Sequence, residues 1–335
     1  MPNQMDKFPW DELGWREQVD EWIVAQLTAH GWQASGPTET VHQRIWSVFM
    51  RIQTDKGIAY FKAPAPPFYE APLTKALARW RSDCTVPLIA VDLERGWLLS
   101  ADAGATLRSV SQSPEQVNHW LKALPLYAEL QMEMAERVPD FLAFGVPDRR
   151  LENLPNLFAH LLEETSALRI GLDLGLTLEE YQHLLDLRPQ FADWCAELGS
   201  FGLPETLAHE EIHENNVLVN ADGYVFTDWS DSSVAHPFFT MTVNLRATAY
   251  WLKLDEFGPE MMHMRDVYLE PWTKFAPRKK LLSAFQLAYR LGMANRALSW
   301  HEALKSLTEE QKEPYNDSVP GWLQDFLNAD MPHTL

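Results

Sequence analysis

The sequence predicts an α+β protein with a small antiparallel β-sheet near the N-terminus and a larger helical part after it. Short runs of alternating apolar residues, separated by turn residues, are concentrated before residue 100. Beyond that point, long segments repeat apolar residues every three or four positions. This segregation favours α+β over a parallel doubly wound sheet. At this length we expect two domains, residues 1–100 and 101–335.

The composition excludes several classes of protein. Forty-seven acidic residues against 28 basic ones give a net charge of −19, which repels nucleic-acid phosphates and anionic lipid surfaces. Cys84 and Cys195 form no disulfide framework, and no apolar run approaches a membrane span. Residues 1–18 lack the basic start and apolar run of a signal peptide. We therefore expect a cytoplasmic protein that binds neither nucleic acid nor membranes.

The first elements follow directly from residue spacing. The pattern predicts a helix over residues 10–30 that ends at Gly31. Its apolar residues at helical spacing are Trp15, Val19, Trp22, Ile23 and Leu27. The runs SVFMRIQT and IAYFKA flank Asp55-Lys56-Gly57 and predict a hairpin, and an earlier strand over 38–42 leads into it.

After the hairpin, the sequence predicts one helix and two strands, and beyond residue 100 mainly helices. APLTKALARW predicts a helix, and residues 86–100 predict two further strands. The predicted helices after residue 100 are 114–137, 152–165, 178–198, 262–275 and 279–307. One hairpin interrupts them over NNVLVNADGYVFTDWS, with Asp222-Gly223 as its turn.

The densest group of titratable residues lies at 207–231, and it fits two different chemistries. His209-Glu210-Glu211-Ile212-His213 matches the HExxH pattern, in which two histidines on a helix bind zinc and Glu210 activates water. The following Asn-Asn-Val-Leu-Val, however, predicts a helix end and a strand, which argues against a zinc peptidase. A solvated polar loop is a further alternative.

The second chemistry uses the same residues for phosphoryl transfer. His209, Glu211 and Asn216 have the spacing H-x-[acid]-x-x-x-x-N, and Asp228-Trp229 follows one hairpin later. Asn and Asp oxygens suit magnesium, which prefers oxygen ligands. An acid beside the transferring group can orient the acceptor hydroxyl.

This region resembles the aminoglycoside phosphotransferase and choline kinase-like family, which has the two-lobed protein kinase-like fold. The resemblance rests on the H-x-[acid]-x-x-x-x-N spacing, on Asp228-Trp229-Ser230-Asp231, on His236-Pro237-Phe238-Phe239 and on the order of sheet and helices. It implies that Asn216 and Asp228 bind Mg²⁺, and that Glu211 acts on the acceptor with support from His209.

The resemblance also implies nucleotide-binding residues in the N-terminal domain. Lys62, at the end of the second hairpin strand, would hold the α- and β-phosphates with Glu70 as its partner. Ser47 would contact phosphates from a loop without glycine. Ser100, Ala101 and Asp102 would correspond to the hinge, whose backbone hydrogen-bonds the purine edge.

Two departures from the family pattern concern the acid. Glu211 stands where the family has aspartate, and Glu210 stands where glycine is common. The expected function is transfer of the γ-phosphoryl group of ATP or GTP to a hydroxyl of a small molecule. An acidic cleft would suit a cationic acceptor such as an amino sugar or amino alcohol. The departures leave a nucleotide-binding pseudoenzyme as the alternative.

Overall fold

A computed structural model describes residues 8–329 of the chain. These residues form two compact units. The first unit comprises residues 8–110, 144–146 and 215–230, and the second comprises 111–143, 147–214 and 231–329. The hairpin at 215–230, which the domain prediction assigned to the second domain, therefore belongs to the first unit. Part of the N-terminal segment used to predict location lies outside the described residues.

The secondary structure contains most of the predicted elements and several others. The strands are β1 (Ala34–Gln43), β2 (Ser47–Thr54), β3 (Gly57–Pro64), β4 (Leu88–Asp92), β5 (Trp97–Ala101), β6 (Ala105–Thr106), β7 (Thr206–His209), β8 (Val217–Val219), β9 (Tyr224–Phe226) and β10 (Ser232–Ala235). The helices are α1 (Trp15–Ala29), α2 (Glu70–Trp80), α3 (Leu107–Val110), α4 (Val117–Met134), α5 (Val138–Ala143), α6 (Leu154–Glu163), α7 (Thr165–Leu168), α8 (Leu178–Asp186), α9 (Arg188–Ser200), α10 (Thr240–Leu252), α11 (Pro259–Leu269), α12 (Arg278–Leu304), α13 (Glu309–Lys312) and α14 (Ser318–Asn328).

The first unit is built on a five-stranded antiparallel sheet in the order β1-β2-β3-β5-β4. One face of this sheet packs against α1, whose buried residues repeat every fourth position and form a single stripe. The buried residues of this core are Trp15, Val19, Ile23, Leu27, Val48, Met50, Ile52, Ala59, Phe61, Ala63, Trp97 and Leu99. Fully burying a large apolar side chain contributes about 1.5–3 kcal/mol, so this stripe holds α1 in place.

The opposite face of the sheet carries the residues between those core positions. Successive strand side chains point to opposite faces, so Phe61 enters the core while Lys62 emerges on the other side. The register aligns Phe49 with Lys62 and Lys62 with Leu98 in one row across three strands. Sequence alternation alone thus separates a structural face from a face available for binding.

The second unit is mainly helical, as predicted, with a two-stranded β7–β10 pair. Its longest helix, α12, contains a run of buried residues from Leu291 to Ser299. Phe158, Phe191 and Phe326 pack together, with the first two rings stacked at 4.2 Å. The second unit therefore has a core of its own.

The prediction of one helix over 178–198 is wrong. α8 ends at Asp186 and α9 begins at Arg188, with Pro189 in its first turn. A proline in the first turn is tolerated, whereas within a helix it removes a hydrogen bond and clashes with the preceding turn. The helical end predicted at Gly31 is confirmed, since α1 stops at Ala29 and Gly31 has φ 74°.

No helix within residues 8–329 combines the length and the apolar character that crossing a membrane requires. The cytoplasmic location stays a prediction.

The buried His236, in the second unit, should make the stability of the folded protein sensitive to acid. Its Nδ1 accepts a hydrogen bond from the Phe238 N–H at 3.3 Å, whereas Nε2 has no partner among the described residues. Burial lowers the pKa of His236 to about 3 from its ordinary value of 6.5. Below that ordinary value the unfolded chain takes up a proton that the folded chain does not accept. The free energy of unfolding should therefore fall with pH, by about 2 kcal/mol at pH 5.

Urea unfolding near pH 7.5 and at about pH 5 tests this expectation. In His236→Asn, whose amide oxygen can still accept from Phe238, the pH-dependent loss should shrink by about 2 kcal/mol. The control is His263→Asn at an exposed position on α11, which should keep the wild-type loss. An undiminished loss in His236→Asn would contradict the assignment.

Candidate active site

A cavity of about 450 Å³ lies in the first unit, on the sheet face opposite the α1 core. This volume is within the range of small-molecule sites, about 300–1,000 Å³. The cavity is lined by every residue that the sequence analysis assigned to nucleotide or metal binding, namely Ser47, Lys62, Glu70, Ser100, Ala101, Asp102, Asn216 and Asp228. These residues come from six separate stretches of sequence, so the fold brings together the residues that the resemblance had assigned to nucleotide and metal binding.

Lys62 is the electrostatic centre of this cavity. Its Nζ lies 2.6 Å from Glu70 Oε1 and 2.6 Å from Asp228 Oδ1. The Lys62 side chain is 14% exposed and that of Glu70 is 3% exposed. Burial alone would lower the pKa of Lys62, but the two carboxylates outweigh it and raise the pKa above its ordinary value. The ammonium is therefore held charged and in a fixed position.

Replacing Lys62 should weaken nucleotide binding. We expect Lys62→Ala to raise the dissociation constant of ATP about 10–100-fold, which corresponds to the loss of a charged hydrogen bond. Lys62→Arg should restore affinity only in part, because a planar fork cannot replace a compact ammonium. Calorimetric titration checks this, with Lys56→Ala as the control at an exposed position in the turn of the same hairpin. Unchanged affinity in both Lys62 variants would remove Lys62 from nucleotide binding.

Asn216 and Asp228 are positioned by the β8–β9 hairpin. The register pairs Val217 with Phe226, and the Thr227 N–H donates to the Asn216 carbonyl oxygen at 3.0 Å. Asp228 follows immediately with φ 64°, a left-handed conformation that aspartate tolerates better than most residues. Ser230 Oγ donates to Asp228 Oδ1 at 2.7 Å. An unusual backbone conformation fixed by side-chain bonds is typical of functional positions.

This donor set fits magnesium. Asn216 supplies a carboxamide oxygen and Asp228 a carboxylate, both hard oxygen ligands of the kind that Mg²⁺ prefers. Zinc would favour nitrogen or sulfur ligands. Bound magnesium would neutralise negative charge on the phosphates of a nucleotide, and Lys62 would add a second positive charge in the same cavity.

The hinge segment differs in one respect from its predicted use. The Ala101 N–H donates to the Pro87 carbonyl oxygen at 2.8 Å, and the Asp102 N–H donates to that of Ile58 at 2.9 Å. A purine contact from this backbone would therefore have to use carbonyl oxygens rather than these two N–H groups. Gly104 ends the segment with φ 118°, and a Cβ there would lie 2.3 Å from the carbonyl oxygen of residue 219.

Aromatic rings form another part of the cavity wall. His42, Phe49 and Tyr60 stack in sequence across β1, β2 and β3, with centroid separations of 5.4 and 5.2 Å. All three residues line the cavity. Burial, followed by the Asp102 carboxylate, raises the pKa of Tyr60, so its phenol stays protonated. These rings, which the sequence analysis did not assign to the site, form an aromatic wall of the cavity against which a nucleobase can pack.

The predicted acid and its supporting histidine belong to the second unit. His209 is the last residue of β7 and fully buried, and its Nδ1 accepts a hydrogen bond from the Glu211 N–H at 3.2 Å. The backbone N–H of His209 donates a hydrogen bond to Tyr127 Oη at 2.9 Å. The geometry is consistent with the predicted support of the loop by His209, and the catalytic roles of both residues stay predictions.

The interpretation of HExxH as a zinc site is wrong. It requires His209 and His213 on one helix, but His209 ends a strand and Glu210 and Glu211 form a turn. Among residues 8–329, no group of three or more His, Cys, Asp or Glu side chains is arranged to hold a metal ion. Glu210 instead accepts hydrogen bonds from Ser233 Oγ and from Asn295 Nδ2.

Sequence reasoning missed an arginine that contacts the predicted acid. Arg296 on α12 donates from Nη2 to Glu211 Oε1 and from Nη1 to Asp231 Oδ2, the latter at 2.9 Å. The first contact spans 85 positions in sequence, so no local pattern connects the two residues. The sequence feature that could have indicated this contact is the polar pair Asn295-Arg296, which lies inside an otherwise apolar helical run.

These features are typical of protein kinase-like phosphotransferases, and comparison with known proteins points to the same class. The model of the phosphotransferase enzyme family, APH, matches residues 90–242, which include the H-x-[acid]-x-x-x-x-N loop and Asp228. The match confirms the predicted resemblance and the predicted enzyme class. No curated protein matches the sequence.

Solved structures confirm the fold. A choline/ethanolamine kinase family protein from Mesorhizobium loti is 13% identical and superposes with a TM-score of 0.61, with 95% of each chain covered. Choline kinase from Cryptosporidium parvum is 13% identical and superposes with a TM-score of 0.61, with 92% of this chain and 94% of that chain covered. Macrolide 2'-phosphotransferase from Brachybacterium faecium is 14% identical and superposes with a TM-score of 0.58, with 90% of this chain and 98% of that chain covered.

Proposed function

We propose that this protein is a small-molecule kinase that transfers the γ-phosphoryl group of ATP or GTP to a hydroxyl of its acceptor. The observation that carries the proposal is the single cavity lined by all eight residues expected to bind nucleotide and metal. Lys62 is paired there with two carboxylates at 2.6 Å, so a cation is already ordered where phosphates would bind.

Each residue has a stated role in this proposal. Lys62 binds the α- and β-phosphates, Glu70 keeps the ammonium in position, and Asn216 and Asp228 hold Mg²⁺. Tyr60 and Phe49 form the aromatic wall against which the base packs. Glu211 accepts a hydrogen bond from the acceptor hydroxyl and orients its oxygen toward the γ-phosphorus. Phosphoryl transfer depends mainly on such positioning and on charge neutralisation.

The comparisons support a small molecule with a hydroxyl group as the acceptor, because similar structures include enzymes named for ethanolamine, macrolides, choline and spectinomycin. We propose an amino alcohol or amino sugar as the acceptor, in keeping with the acidic chain.

A two-stage experiment tests the proposal. The first stage measures the melting temperature with ATP, GTP and ADP, each with and without magnesium, because a ligand of the native state raises it by mass action. The second stage measures phosphoryl transfer from the better nucleotide to choline, ethanolamine, spectinomycin, a macrolide and simple sugars.

The outcomes separate the candidate functions. Magnesium-dependent stabilisation with transfer to one acceptor class supports the kinase. Stabilisation without transfer to any acceptor would favour the nucleotide-binding pseudoenzyme. A melting temperature that no nucleotide changes would contradict both.

A further inference from the structure

Arg296 is a buried cation held between two carboxylates of the second unit. Its side chain is 4% exposed, against 32% for both Glu211 and Asp231. One arm of its guanidinium donates to each carboxylate, and the group lies 5.3 Å from the centroid of the Trp300 ring. A planar fork fixes the directions of both hydrogen bonds, which a compact ammonium would not do.

The charges in this cluster depend on one another. Burial alone would lower the pKa of Arg296, but the carboxylates of Glu211 and Asp231 outweigh it and raise the pKa. A buried charge that loses its partner destabilises a protein strongly. The ion pairs therefore constrain Glu211 as much as they stabilise Arg296.

The residue before Arg296 holds the residue before Glu211. Asn295 Nδ2 donates to Glu210 Oε1 at 2.7 Å, and both side chains are buried. Arg149 Nη1 donates to the Asn295 carbonyl oxygen at 3.3 Å, so this part of α12 is itself bonded to another segment. Two successive helix residues thus hold two successive loop residues.

These contacts restrict the conformational freedom of the Glu211 side chain, which is longer than that of aspartate. Its side chain has one more rotatable bond than aspartate, and ordering that bond costs conformational entropy. An error of about 1 Å in placing a reacting group can cost about 100-fold in rate. A carboxylate bonded to a buried guanidinium is ordered before any substrate binds.

We infer that Arg296 is a positioning residue of the transfer reaction, which fixes the Glu211 carboxylate so that the longer acid can orient the acceptor hydroxyl. The inference rests on the proposed function, because it assumes that Glu211 acts on the acceptor. Asp231 serves as the second anchor of the guanidinium.

Steady-state kinetics of Arg296→Lys, with ATP, Mg²⁺ and the acceptor of the panel that supports turnover, tests the inference. Lysine keeps the charge, but its ammonium is a single point charge on a flexible stem, so it does not fix the directions of the two carboxylates as the two arms of a planar guanidinium do. We expect kcat to fall about 10–100-fold, while the dissociation constant of ATP changes less than about twofold. The matched control is Arg290→Lys on the same helix, whose guanidinium lies over the Trp194 and Phe326 rings at 4.3 and 5.3 Å.

A second variant separates positioning from a merely structural role. Arg296→Ala leaves space for a guanidinium ion, and millimolar guanidinium chloride should restore part of kcat to this variant but not to wild type or Arg290→Lys. If Arg296→Lys does not fold, this rescue carries the test.

The opposing outcomes are distinct. Lowered thermal stability with unchanged kcat in Arg296→Lys would overturn the inference and leave the proposed function intact. A kcat that is lost in Arg296→Ala and that guanidinium does not restore would also overturn it, whether or not Arg296→Lys folds. A wild-type protein that phosphorylates no acceptor would overturn the proposed function and this inference with it.

Discussion

Asp228→Asn is expected to abolish magnesium-dependent nucleotide stabilisation and to lower turnover by about a thousandfold or more, with the fold retained. The amide keeps the shape of the side chain but loses the charge that would hold the metal and that now pairs with Lys62 at 2.6 Å. Asparagine also tolerates the left-handed backbone at this position, φ 64°, and Lys62 keeps Glu70 as a partner, so the variant should fold, with a lower melting temperature because one ion pair of Lys62 is lost.

The melting temperature with ATP, measured with and without magnesium, checks this prediction. Asp228→Ala should lose the same magnesium dependence, and it should also be less stable because alanine strains a left-handed backbone by about 1–2 kcal/mol. Asp222→Asn, at an exposed position in the turn of the same hairpin, is the control. A magnesium-dependent shift that persists in Asp228→Asn would refute the assignment of this residue to the metal.

Glu211→Gln should lower phosphoryl transfer about 100- to 10,000-fold, the range typical of an acid–base group, and leave ATP binding unchanged. The residues that line the cavity proposed to bind nucleotide belong to the first unit, whereas Glu211 belongs to the second, so we expect ATP binding and turnover to separate cleanly in this variant. Glu197→Gln, at an exposed position on α9, controls for the loss of one negative charge. Equal turnover in wild type and Glu211→Gln would remove Glu211 from the mechanism.

The shorter acid gives the sharper comparison. Glu211→Asp restores the residue typical of the family, and the reference pKa values of the two acids, about 4.3 and 3.9, hardly differ. Because Arg296 bonds the carboxylate at the length of glutamate, aspartate should withdraw it by about 1.5 Å and lower turnover. Turnover that rises in Glu211→Asp would instead identify the glutamate as a degenerative change.

Local patterns were sufficient for the sheet. Alternation in SVFMRIQT and IAYFKA determines which side chains enter the core, because each strand has one buried face. The pair of Lys62 and Glu70 came from the family resemblance, because the local sequence alone fits a strand lysine in water equally well; the ion pair that the structure shows is the partner that a buried ammonium needs. The β8–β9 hairpin followed from its Asp-Gly turn.

Other helices and strands were not predicted because their local sequences favour a different structure. α10 begins TMTVN, and its β-branched residues resemble a strand, yet most of its positions are buried in the second unit. α14 has proline and glycine at 320 and 321, near its start, and these two residues are typical of turns rather than helices. The strands β7 and β10 are four residues each and pair across more than 20 positions, so their signal lies in tertiary structure.

The two-faced β3 strand restricts how this sequence can change in length during evolution. A one-residue insertion or deletion between the Gly57 turn and Lys62 would exchange the faces, moving Phe61 into the cavity and a charged ammonium into the apolar core. Changes of two residues preserve the parity of the strand. Across sequences related to this one, length variation should therefore accumulate at the Asp55–Gly57 turn, while the distance from that turn to the lysine should vary only in even steps.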